Sequence, residues 1–215
     1  MSTLGILKTT IADEIVRDDL SSQIGRAITT AISLWASRRF VFNEKRYALT
    51  TVASQEYYPM SSLTNTDGSA IATGETLIEI DSFTLTYGNE PYTLDDRTQQ
   101  WLDREQSATF TGQPNSYGIF ADQIRLSPIP AGAYPCVISG LAELGALSSD
   151  ADSNAWMTNG EALIRAQAKI LLYRDIVRDM EGVALAKDAL AEALEPLMRR
   201  RSAKVQTGRI APWVL

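Results

Sequence analysis

The side chains of this 215-residue sequence that could do chemistry are few and scattered. Acids sit side by side at Asp18/Asp19 and Asp95/Asp96, and Asp122 stands near an apolar segment at Ile124. A carboxylate-based hydrolase needs two such groups about 5–10 Å apart across a cleft. Neighbours in sequence face different ways on a helix, and Asp18/Asp19 follow Arg17 on what reads as a solvated side. Cys136 is the single cysteine. A thiol needs a base to become a nucleophile, and the chain has no histidine at all. That absence removes the Ser-His-Asp triad, the Cys-His dyad and His-liganded zinc. One cysteine likewise removes an intrachain disulfide and any Cys-rich zinc or iron–sulfur centre, and it reads as a small buried apolar residue. No glycine precedes a Lys-Ser/Thr pair at phosphate-loop spacing, and no acid spacing resembles a calcium loop. Cofactors are therefore unsupported, and a protein that catalyses nothing is the expectation.

Charge is the second constraint. The formal net charge is −6, from 26 acids and 20 bases. It is unevenly spread: residues 1–50 carry +2, residues 51–150 carry −10, and residues 151–215 carry +2. The last seventeen residues hold Arg199, Arg200, Arg201, Lys204 and Arg209 with no acid. A solvated surface with a frayed basic end would explain this; so would an acidic body that avoids polyanions and a basic end that seeks a separate acidic partner. The arginine run could touch phosphate, yet no basic stripe with interleaved aromatics accompanies it.

The elements that must position these groups can be read from periodicity. Ile11, Ile15, Ile24, Ile28, Ile32 and Trp35 recur at four- and three-residue spacing, which predicts one long amphipathic helix over residues 9–40. Thr9 or Thr10 would cap it and Arg38 and Arg39 would close its last turn, with Gly25 as a place where it could divide in two. A helix of that length spans roughly 45 Å, longer than a small domain is wide. Residues 45–140 instead alternate: Tyr47-Ala-Leu-Thr-Thr-Val, the run from Thr76 to Tyr87, and Gln123-Ile-Arg-Leu-Ser read as strands between Asp67-Gly68, Gly88-Asn89 and proline turns. The stretch Ser61 to Gly74 reads as a mobile loop. Helices return after Ser153 or Asn154, with Gly182 as a possible break and Pro196 in conflict with an unbroken run. The expected fold is α+β and mainly helical, with a long N-terminal helix, an inserted small antiparallel β domain and C-terminal helices. The expected divisions are 1–44, 45–150, 151–203 and an extended tail at 204–215. No apolar run reaches the ~18–20 residues of a membrane span, and Met1 to Glu14 lacks the apolar core of a signal peptide. A cytoplasmic protein with no membrane contact is expected.

The segment Arg38-Arg39-Phe40-Val41-Phe42-Asn43-Glu44 is denser than a helix end needs. Two readings stand: a helix terminus whose phenylalanines enter the core, or a junction between subunits. Here the sequence resembles the head-to-tail connector, or portal adaptor, proteins of tailed phages. The resemblance is carried by Arg17-Asp18-Asp19-Leu20, by Ile24 to Trp35, and by Arg39-Phe40-Val41-Phe42-Asn43-Glu44. It continues in Gln55-Glu56-Tyr57-Tyr58-Pro59, Trp101-Leu102, Gly112-Gln113-Pro114-Asn115-Ser116-Tyr117 and Ile124-Arg125-Leu126-Ser127-Pro128-Ile129-Pro130, and covers most of residues 10–200.

The resemblance implies a virion protein, made in the host cytoplasm, that forms a dodecameric ring beneath the portal. Tail components (nozzle, hub or tail fibre proteins) attach below, and DNA passes through without sequence-specific binding. Portal contact then falls to Arg199, Arg200, Arg201, Lys204, Arg209, Ile210, Trp213 and Leu215, with Trp213 as anchor. Contact between subunits falls to Trp35, Arg38, Arg39, Phe40, Phe42 and Glu44. Two readings from other classes are a DNA-binding accessory factor and a monomeric carboxylate hydrolase.

Overall fold

The computed structural model describes residues 2–105 and 110–205, with side chains to residue 200. The chain opens with α1 (Leu4–Ile15) and, after a 3-10 turn at Asp18–Leu20, α2 (Ser21–Ala36). The single helix expected over 9–40 is therefore two, and the break is not at Gly25. It falls at Val16, which takes a left-handed conformation (φ 54°) so that its N–H reaches Asp13 O and the Arg17 N–H reaches Ala12 O. Those bonds close the last turn of α1 and turn the chain away from the axis. Gly25 stays inside α2, where an added Cβ would lie 3.4 Å from Lys8 Cε. The cap is also earlier than expected: Thr3 accepts the Ile6 N–H, while Thr9 and Thr10 bond back to the carbonyls of Gly5 and Ile6.

The chain then builds a β unit, Glu44–Glu143. Its strands are β1 (Glu44–Thr50), β2 (Tyr57–Pro59), β3 (Thr64–Asn65), β4 (Thr76–Tyr87), β5 (Glu90–Thr93), β6 (Asp95–Asp96), β7 (Thr111–Gly112), β8 (Ser116–Phe120), β9 (Gln123–Ser127), β10 (Ile129–Pro130) and β11 (Pro135–Glu143), with one short helix, α3 (Gln99–Glu105). An antiparallel sheet runs β3-β1-β11-β4-β5, and a second runs β2-β9-β8-β6 with β6 parallel to β8. Alternation along the strands puts Tyr47, Leu49, Phe83, Leu85, Ile124, Leu126 and Ile138 into one core with Tyr58 and Met60. Two glycines are demanded by close approach. At Gly140 a Cβ would stand 1.9 Å from Glu79 O, where β11 bulges against β4, and at Gly118 it would stand 2.7 Å from Arg97 O under α3.

After Glu143 the chain resumes helices: α4 (Ala155–Asn159), α5 (Glu161–Leu172), a π turn at Tyr173–Val177, and α6 (Met180–Val205). Asn154 caps α4, its Oδ1 accepting the Trp156 N–H at 2.9 Å. The break falls at left-handed Arg178, not at Gly182, which lies within α6 against the Tyr173 ring. Pro196 does not stop α6. It faces solvent, where water can satisfy the freed carbonyl, while Leu197 one position on is buried. These helices share one core with α1 and α2 through Leu7, Ile11, Ile24, Ile28, Phe40, Trp156, Leu163, Ile164 and Leu172. Residues 1–43 and 144–215 thus form one unit. Helices hold 45% of the chain and strands 28%, a mixed α+β protein in which neither type is an accessory.

Val16→Gly should raise stability in urea by about 0.5–1 kcal/mol, because glycine accepts the left-handed conformation that a β-branched side chain resists. Gly140→Ala should lower it by about 3 kcal/mol through the clash with Glu79 O.

Candidate assembly site

The residues that leave α2 form a knot in the helical unit. Phe40 and Phe42 stack with ring centroids 5.2 Å apart, and both meet the Trp156 ring edge-on, at 5.7 and 5.0 Å. Asn43 holds the turn: its Oδ1 accepts the Phe40 N–H at 2.7 Å and its Nδ2 donates to Arg38 O at 2.9 Å, with the side chain fully buried. Trp35 packs beside Phe40, its indole N–H buried with no hydrogen-bond partner among the described residues. The Arg38 guanidinium lies 5.3 Å from the Trp35 ring and its Nη2 approaches Met198 Sδ at 3.6 Å. Arg39 is half-buried, and Glu44 opens β1 opposite Leu141. The structure therefore brings Trp35, Arg38, Phe40 and Phe42 together. Phe40 is wholly inside its own core, so within one chain the phenylalanines act as core residues, and Arg38 is the exposed member of the group.

Asn43 and Trp156 are what sequence reasoning missed. Asn43 stood inside the Arg-Phe-x-Phe-Asn-Glu run, but a polar residue reads as surface until its two backbone partners are known. Trp156 lies over a hundred residues downstream, and nothing local ties it to Phe40.

At the other end, α6 runs to Val205, so the first two residues of the extended tail expected at 204–215 are helical, and the rest of it lies outside the described residues. Arg199, Arg200, Arg201 and Lys204 are thus on a helix. Arg199 pairs with Glu195 one turn back, and Arg200 is exposed. Arg209, Ile210, Trp213 and Leu215 lie outside the described residues.

The candidate catalytic groups do not converge. Asp19 makes a two-point ion pair with Arg17 at 2.7 and 2.8 Å, and Asp95 pairs with Arg97 at 2.9 Å. Asp122 sits in the turn between β8 and β9 with φ 57°. Among the described residues no three His, Cys, Asp or Glu side chains could share a metal ion. Cys136 is buried in the β core, and that burial pushes its thiol up to about 12, far from a reactive thiolate. Among the described residues no helix is long and apolar enough to cross a membrane.

The polar groups that are strongly held support the fold. Buried Arg125 donates to Glu56 at 2.6 Å and to Asp103, binding β9 to α3 over the Tyr57 ring. Burial opposes its charge, and the two carboxylates more than restore it. In the helical unit, Glu14 bridges Arg165 (3.2 Å) and Lys169 (3.0 Å), tying α1 to α5. The N–H and hydroxyl groups of Ser149, and then those of Ser148, converge on Asp152 and hold its carboxyl well below the usual range. The same loop places Asp150 O on the Gly5 N–H and the Asp150 carboxylate on Lys8.

Residues 2–212 match the family described as SU10 adaptor protein. The chain belongs to that family. It is a family of phage adaptors, structural virion proteins, and the match takes in both the helical unit and the β unit. No curated protein matches the chain.

Asn43→Ala in this adaptor should cost about 2–3 kcal/mol in urea unfolding, because the Phe40 N–H and Arg38 O are left buried without partners. Asp152 ionises more readily in the folded chain than in the unfolded one. Its contribution is therefore complete above about pH 4 and is lost as pH falls further. Asp152→Ala should flatten that acid limb of a stability–pH curve and lower the plateau at neutral pH.

Proposed function

We propose that this chain is the ring-forming head-to-tail adaptor that joins the portal to the tail and encloses part of the DNA channel. The observation that carries this reading is the family match over residues 2–212, nearly the whole chain. In this reading twelve copies form the ring, in the virion after assembly in the host cytoplasm. Arg38, held over Trp35 at the surface of the helical unit, and Glu44 at the start of β1 supply the contacts between neighbours. Arg39, Phe40 and Phe42 shape that junction from behind. The end of α6 and residues 206–215 engage the portal: Arg199, Arg200, Arg201, Lys204 and Arg209 set register, and Ile210, Trp213 and Leu215 supply the apolar anchor. The acidic β unit faces tail proteins and passes DNA without gripping it, since it offers few cations to phosphate.

The test mixes purified adaptor with its portal and follows complex formation by sedimentation, for the intact chain and for one ending at Met198. The intact chain should add a ring to the portal and the shortened one should bind at least a hundredfold more weakly. Equal binding by both would refute the role given to residues 199–215. Failure of the intact chain to bind any portal would refute the adaptor reading itself.

A further inference from the structure

The exposed face of α2 differs in kind from that of α6. Residues 21–39 contain no acid, and their exposed positions are Ser21, Ser22, Arg26, Thr29, Thr30 and Ser33, followed by Leu34, Ser37 and Arg38 toward the end of the helix. Serine and threonine are poor helix formers, so helix stability alone does not select them here. The contrast is α6, whose exposed positions carry Lys187, Asp188, Glu192, Glu195 and Arg199, with an ion pair along the helix. Six of the α2 positions, Ser21, Ser22, Gly25, Arg26, Thr29 and Thr30, line one open groove of about 670 Å³ with Lys8 of α1. Gly25 is its floor, where Lys8 crosses close to the backbone. Arg26 is exposed and has no ion-pair or hydrogen-bond partner among the described residues. Lys8 already holds Asp150 at 2.6 Å, and Asp19 before the groove is tied to Arg17. The groove therefore offers one unspent guanidinium, a half-spent ammonium and the hydroxyls of Ser21 and Thr30, while those of Ser22 and Thr29 already donate to Gln23 Oε1 and Gly25 O; no carboxylate lines its walls.

Guanidinium, ammonium and hydroxyl donors are the set that contacts nucleic-acid phosphates and carries no base information. Serine and threonine hydroxyls add hydrogen bonds to phosphate oxygens without adding charge, which suits contact that must release. From Ser21 to Ser33 the face extends about 18 Å along the helix axis, enough to follow several successive phosphates. The surplus of acids in residues 51–150 does not forbid this contact, because charges farther than about 10 Å are largely screened at 0.1 M salt.

We propose that this face of α2, with Lys8, is a sequence-independent contact surface for the phosphate backbone of DNA. The proposal rests on the conduit reading above and deepens it, giving the DNA a place to touch the adaptor. The test is fluorescence anisotropy of two labelled 20-base-pair duplexes of unrelated sequence against the full chain between 25 and 200 mM salt. Both duplexes should bind alike, with a dissociation constant on the order of 10⁻⁴ M at low salt. Arg26→Gln should reduce the slope of log K against log salt by about one. The double variant Thr29→Glu, Thr30→Glu should weaken binding at least tenfold, and glutamate, a better helix former, keeps α2 intact by circular dichroism. Three results would overturn the proposal: no binding by the native chain at 25 mM salt, variants that bind as it does, or displacement of DNA by polyglutamate at equal charge concentration. Sedimentation with the portal separates the two readings. Loss of portal assembly in the double variant with DNA binding unchanged makes the face a protein interface and refutes the phosphate assignment. Native chain that binds DNA through Arg26 but never a portal leaves this surface standing and removes the adaptor.

Discussion

Closing a hundred-residue excursion is the constraint on which the molecule depends. The helical unit is assembled from residues 1–43 and 144–215, and everything between them is β unit. Bringing the ends of so long an insertion together costs about 4 kcal/mol in loop-closure entropy, before any contact rewards it. The pairing of β1 with β11 meets this cost, because Glu44 and Leu141 stand opposite each other on adjacent antiparallel strands. Seven residue pairs hold that register from Glu44 to Thr50. With the two crossing points fixed side by side, Phe40 and Phe42 from before the insertion can meet Trp156 from after it.

The aromatic knot and its Asn43 clamp follow from that closure. A fully buried amide side chain is tolerated because both of its functional ends find backbone partners at good distances. Such a clamp sets the exit angle of the chain from α2 more sharply than apolar packing does, since it works only in one geometry. It also explains why a run of arginines and phenylalanines at a helix end can be at once core and surface. The phenylalanine rings are spent inward, and Arg38 lies along the outside over Trp35.

Two solvent faces then divide the electrostatic labour. The β unit spends the guanidiniums of Arg97 and Arg125 on internal ion pairs, so its excess acids remain unbalanced. The α2 face carries no acid at all.

The sequence by itself determined much of this. Periodicity of two located β4 and β9, and periodicity near 3.6 located the apolar stripe of α1 and α2, because those signals are local and set by which face meets a core. The absence of histidine, the single cysteine and the charge asymmetry are composition, and they required no fold. The ordered series of short motifs carried the family. What only the tertiary structure decided were the interruptions and the partnerships. Val16 and Arg178 break their helices in a left-handed conformation that glycine usually takes, whereas Gly25, Gly182 and Pro196 do not break theirs. Propensity is worth less than about a kcal/mol at most positions and packing several, so the buried neighbours of each turn outweigh its own residue. The same holds for Asn43 and Trp156, whose roles depend on groups far away in sequence. The empty, acid-free face of α2 is likewise visible only once the structure shows which of its side chains face water.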